Sequence, residues 1–169
     1  MGSKRVGLGR AKTLIENLKR ALDWNGAAMS DVASLATTGA VTAGTTLTAT
    51  SGDVTLTSGA VEYADGGVVT QGTSKSTGVT LNHPTGKITT HAAALGANTT
   101  VTFTVTCSHA RATDVVAINH HSGGTVGNYV VQATGHAAGS FKVTVRNITG
   151  GSLTDALVLH YVLIKTAHT

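Results

Sequence analysis

Between residues 10 and 24 the apolar side chains Leu14, Ile15, Leu18, Ala21 and Leu22 recur at i, i+1, i+4, i+7 and i+8, while Lys12, Glu16, Lys19 and Arg20 fall elsewhere. That spacing is the period of one helical face, and Asn25-Gly26 supplies a C-terminal stop. The pattern predicts a short amphipathic α-helix preceded by a flexible arm, Val6-Gly7-Leu8-Gly9. A helix of about 15 residues is marginal alone, so its apolar face is expected to dock on its own body, a neighbouring subunit or a partner. Residues 1–26 therefore read as an arm and anchor.

The next stretch, residues 27–67, loses the helical period. Val41, Leu47, Val54, Leu56 and Val61 are spaced among Thr, Ala, Ser and Gly. Leu47-Thr48-Ala49 and Val54-Thr55-Leu56-Thr57 read as short strands, with Ser51-Gly52-Asp53 and Ser58-Gly59 as turns. Strands so thin expose their edges and bury too little surface to stand alone. Wrapping identical chains around one another would cover them; the other reading is a partly disordered linker.

From residue 68 to 169 the alternation becomes regular. Val101, Phe103, Val105 and Cys107 share one face of a run whose other face is threonine, and residues 141–146 alternate equally cleanly. Further strands are predicted at 77–82, 86–91, 114–120, 128–133 and 157–164, separated by clusters such as Ser122-Gly123-Gly124. Seven strands at this spacing predict an antiparallel β-sandwich or jelly-roll-like domain. The last run, LVLHYVLI, is apolar on both faces apart from His160, which places it in the middle of the domain or against another subunit. The whole chain is thus expected to be mainly β, with an N-terminal arm and helix, and intertwined as a homotrimer.

Composition sharpens this picture. Thr (30), Ala (23) and Gly (21) supply nearly half of the 169 residues, and only six are aromatic, so the core must be built largely from aliphatic methyls. No run approaches a membrane span, and the opening residues lack the apolar segment of a secretory signal, so a cytoplasmic origin without membrane insertion is expected. The net charge of +4 is unevenly placed. Lys4, Arg5, Arg10, Lys12, Lys19 and Arg20 stand against Glu16 alone in residues 1–22, a local +5, which leaves −1 for the other 147. A basic end on a nearly neutral body suits docking on an acidic protein surface; the lack of interleaved aromatics argues against direct nucleic-acid binding.

Candidate chemistry is thin. The single cysteine, Cys107, excludes an intrachain disulfide and reads as a small buried hydrophobe. All eight histidines lie from His83 onward, but adjacent His120 and His121 on a strand would face opposite ways, and no H-x-x-x-H pair occurs. A metal site is expected only where one histidine, His120 or His160, repeats about a threefold axis. There is no G-x-S-x-G elbow or phosphate loop, and Asp114 and Asp155 are the only plausible carboxylates of the β-domain. No catalytic residue and no cofactor is therefore assigned.

A basic arm and helix, a Thr/Gly/Ala tract and a compact terminal β-domain together resemble the structural proteins of tailed bacteriophage virions. TTLTATSGDVTLTSG is similar to threonine-rich shafts of phage fibres. SKRVGLGRAKTLIENLKRAL, VVTQGTSKSTGVTLNHPTGKITTHAAAL, ATDVVAINHHSGGT, FKVTVRNITGGSL and ALVLHYVLIK resemble small virion proteins of phages of marine bacteria. The resemblance implies a homotrimeric, non-enzymatic virion component, made in the host cytoplasm and placed on the capsid exterior. The expected role is capsid decoration or cement, a head fibre. Lys4, Arg5, Arg10, Lys12, Lys19 and Arg20 would pair with acidic groups of the major capsid protein or another virion protein. Leu14, Ile15, Leu18 and Leu22 would fill an apolar groove or pack with symmetry mates. The competing role is a short tail fibre or spike that recognises a host surface glycan.

Overall fold

The computed structural model describes residues 38–44, 47–49 and 54–166. The anchor helix expected over residues 10–24 lies outside them. The chain divides into two units, Met1–Thr55 and Leu56–Thr169. In the first, the described residues carry no strand and are exposed, Val41, Leu47 and Val54 among them. The short strands expected at 47–49 and 54–57 are not formed: these residues carry no strand, and among the described residues none pairs with them.

The second unit is all β among the described residues. Its strands are β1 (Val68–Thr70), β2 (Val79–Thr80), β3 (Thr85–Thr89), β4 (Thr100–Thr106), β5 (Val115–Ser122), β6 (Tyr129–Ala137), β7 (Ser140–Asn147) and β8 (Val158–Ile164). They form two four-stranded sheets, ordered β1-β3-β8-β5 and β2-β4-β7-β6. Among the described residues no helix is long and apolar enough to cross a membrane.

The all-antiparallel sandwich or jelly-roll-like arrangement expected from the alternation is corrected here: both sheets are mixed. β1 pairs parallel with β3 and β2 parallel with β4, while the other pairings are antiparallel. The reason is topological. The chain passes from one sheet to the other at each of the first five connections, so β1 and β3, like β2 and β4, are separated by two turns and run the same way. A residue pattern of period two reports which face a side chain takes and carries no information about strand direction.

The two sheets enclose one core. Ile88, Leu159, Tyr161 and Leu163 come from the first sheet and meet Phe103, Val105, Phe141, Val143 and Val145 of the second, all at most 2% exposed. Phe141 and Tyr161 meet edge to face across the layers, ring centroids 5.2 Å apart. β8 lies in the interior of its sheet, between β3 and β5, in keeping with its apolar sequence.

Buried polar groups tie the loops to this core. Asn147 is fully buried; its Nδ2 donates to the carbonyls of Leu95, Gly96 and Gly151, and its Oδ1 accepts from the N–H and hydroxyl of Thr149. Gln71, 2% exposed, donates to Lys75 O and Thr77 O and accepts from the N–H of His91. Lys75 is also buried and donates to the carbonyls of His91 and Asp155. Burial pushes its ammonium below the ordinary lysine value, opposed by the charge of Asp155.

Candidate functional site: the two outer sheet faces

Each sheet turns one face inward and one outward, and the outward faces differ in chemistry. On the β2-β4-β7-β6 sheet, β4 presents Thr100, Thr102, Thr104 and Thr106 and β7 presents Lys142, Thr144 and Arg146. The Thr102 and Thr144 hydroxyls bond across the strands at 3.0 Å. A shallow groove on this face is lined by Thr100, Val130, Gln132, Thr144 and Arg146. This is the polar surface that an antiparallel strand pair ordinarily gives to water.

The outward face of the β1-β3-β8-β5 sheet is mixed: Thr70, Thr85, Lys87, Thr89, Asn119 and His160 stand on it, and an apolar cluster occupies one end. β8 turns Val158, His160, Val162 and Ile164 outward, and the register sets Val115 opposite Ile164 and Ala117 opposite Val162. Lys87 of β3 lies directly across from His160. Two neighbouring grooves open on this face. One is bounded by Ala117, Asn119, His160 and Val162, and the other by Val61, Glu62, Tyr63 and Asp65 together with Lys87, His160 and Val162.

The incoming segment is fixed to β3 by close packing. The Thr85 hydroxyl donates to Ala64 O, and a Cβ on Gly66 would stand 1.6 Å from Thr85 O, so only glycine fits there. The Asp65 carboxylate accepts the N–H of Gly67, whose φ of +84° again favours glycine.

The structure separates the two histidines singled out for a threefold metal site. His160 is exposed on the outer face between Lys87 and Asn119, its ring edge-on to His121 with centroids 5.6 Å apart. His120 points to the other side, bonded through Nε2 to Gly123 O at 2.5 Å and packed against Tyr129. Among the described residues no group of three His, Cys, Asp or Glu side chains could hold a metal ion. The ten anchor residues Lys4, Arg5, Arg10, Lys12, Leu14, Ile15, Leu18, Lys19, Arg20 and Leu22 lie outside the described residues.

The other reactive groups have structural partners. Cys107 is buried and donates to His83 O at 3.2 Å, and His109 stacks on His83. Tyr129 donates to Asp155 Oδ2 at 2.9 Å, and burial together with that carboxylate pushes its phenol up to about 12. Burial also pushes up the phenol of Tyr161, whose hydroxyl donates to Leu81 O and His83 O.

Asp114 pairs with Lys165 at 2.5 Å and accepts the N–H of Arg111. Burial alone would raise its carboxyl. The Lys165 and Arg111 hydrogen bonds and positive charges outweigh burial and hold it below the ordinary carboxylate value. No family model matches the chain, and no curated protein or solved structure is similar enough to count as a match.

The apolar cluster on the outer face of the β1-β3-β8-β5 sheet escaped sequence reasoning because β8 was legible only as two-sided. The signal lay in its neighbours: Val115 and Ala117 share a parity on β5, but assigning that parity to the outside requires the register with β8.

Proposed function

We propose that this chain is a non-enzymatic structural protein of a bacteriophage virion, a homotrimeric capsid decoration or cement protein of head-fibre type. It attaches to the shell through residues 1–26 and projects its β-domain outward. The observation that carries this reading is the division of the chain: six cations and an amphipathic apolar stripe gather at one end, and a nearly neutral Thr-rich body follows. The β-domain adds support, since Asp114, Asp155 and Cys107 all make structural bonds there.

Attachment would combine ion pairs from Lys4, Arg5, Arg10, Lys12, Lys19 and Arg20 with burial of Leu14, Ile15, Leu18 and Leu22. Deleting residues 1–25 is expected to abolish binding to particles that lack the protein while the β-domain stays folded. Undiminished binding of the truncated chain refutes the anchor.

One observation favours the tail-fibre or spike reading. The threonine hydroxyls beside Lys142 and Arg146, with the groove at Gln132, would suit a polyhydroxylated, anionic surface glycan. Copy number separates the two roles: hundreds on the head mean decoration, and a handful at the tail mean a fibre.

A further inference from the structure

We propose that the outer face of the β1-β3-β8-β5 sheet is the surface by which copies of this chain meet, with His160 near the centre of the contact. The inference rests on the assembly reading above and names the surface that reading requires.

The first argument is the contrast between the two outer faces. One follows the ordinary rule for a solvated sheet, with threonine, lysine and arginine outward and Val130 as a single exposed apolar residue among them. The other leaves Val115 and Ile164 at 51% and 45% exposure, paired directly and flanked by Ala117 and Val162, with Val68 at 62% on the far strand. Val115, Ala117, Val162 and Ile164 are neighbours on β5 and β8 and form one patch at one end of the face, while Val68 and Val158 stand apart from it beyond Lys87 and His160.

The second argument identifies the occupant. The Thr85 and Gly66 contacts hold the segment before β1 flush against the edge of the same face. That segment carries Leu56, Val61 and Tyr63 at 50%, 70% and 47% exposure. A partner seated on the sheet therefore also meets the end of the tract. If the partner is a second copy, it brings an identical tract, and both sets of exposed apolar side chains are covered together.

Charge is self-complementary in the same sense. Glu62 and Asp65 border the groove whose other wall holds Lys87, so the acidic rim of one copy can face the lysine of the next.

Size points the same way. Four strands about 4.8 Å apart, with a seven-residue β8 rising about 3.3 Å per residue, give a footprint on the order of 450 Å². A stable interface takes about 800 Å² from each partner. The sheet face falls short unless the adjoining tract joins the contact, and a second copy supplies that for both sides.

The test uses the full chain. Wild-type protein is measured by light scattering and sedimentation at micromolar concentration beside Val162→Lys, Ala117→Lys and, as a control on the other sheet, Thr104→Lys. Circular dichroism and thermal melting confirm that each variant folds. The expected result is an oligomeric wild type, a dissociation constant raised at least ~100-fold by a lysine in the apolar cluster, and no change for Thr104→Lys.

Hydroxyl-radical footprinting of the wild type needs no variant and should show Val115, Val162 and Ile164 protected at high concentration and exposed on dilution. A monomeric wild type overturns the proposal, including the case in which the chain's own tract covers the face and protects it at every concentration. Face variants that keep the wild-type dissociation constant overturn it too. Failure of the anchor reads differently: an oligomer that does not bind particles refutes the N-terminal attachment and leaves this face standing.

Discussion

Replacing Asn147 tests whether one buried amide holds an end of the β-domain together. Its side chain is completely buried and joins the 95–96 segment to the 149–151 turn through three carbonyls and two donors of Thr149. In Asn147→Ala the carbonyls are not left bare. Leu95 O still accepts from the Leu153 N–H, Gly96 O from the Thr99 hydroxyl, and Gly151 O from the Thr149 hydroxyl. The loss is therefore that of ordinary hydrogen bonds rather than of several orphaned buried groups. At about 1 kcal/mol for each of three or four bonds it comes to roughly 3 kcal/mol.

That figure is a large share of the ~5–15 kcal/mol that stabilises a typical domain. Asn147→Asp keeps the shape and the acceptor oxygen but sets a carboxylate oxygen against the same three carbonyls, so at pH 7 it should be at least as damaging as alanine. Urea unfolding followed by circular dichroism measures both, with the denaturant slope unchanged if the folded and unfolded states keep their compactness. A loss below about 1 kcal/mol for alanine, or an aspartate variant more stable than the alanine one, would refute this account of the clamp.

Other perturbations follow from single contacts. Asp114 has a carboxyl held below its ordinary value, 3.8, so its stabilising contribution is present above that pH and lost as pH falls through the folded-state value. Asp114→Asn should lower stability at pH 7 and flatten the acid limb of a stability-against-pH curve below about pH 4. Tyr129 behaves in the opposite sense. With its phenol raised from 10.0 to about 12, the proton it keeps in the folded state stabilises the protein below pH 10, and that contribution is lost as pH rises toward 12. Tyr129→Phe should flatten the alkaline limb in denaturant titrations. Gly66→Ala forces a Cβ into the Thr85 carbonyl and should lower the melting temperature, whereas Gly72→Ala, in open space with no positive φ, should not.

Much of the fold was legible in the alternation, and the reason is physical. Strands β4 and β7 read clearly because their inward residues, Phe103, Val105, Phe141, Val143 and Val145, are deeply buried while threonine, lysine and arginine face water. β1 was not legible: three residues, Val68–Thr70, flanked by Gly67 and Gln71, are too few for a period to show, and the strand exists because β3 offers it a parallel edge. Parallel pairing was likewise invisible, since period-two alternation is the same in either direction.

The candidate surface was half legible. LVLHYVLI announced an apolar strand on both sides, but only the register with β3 and β5 shows that its outward half continues into Val115 and Ala117 and is not covered by another layer among the described residues. The buried amide of Asn147 was not legible at all, because nothing in the three residues Asn147-Ile148-Thr149 records burial.

The central claim, that this chain is an assembly component that sticks to a phage shell and to its own copies, is tested most directly by electron cryo-microscopy of purified particles with the protein located and counted. The account predicts many copies on the outside of the head, clustered as oligomers through their β1-β3-β8-β5 faces, with the N-terminal region against the shell. Particles that contain none of this protein would contradict it.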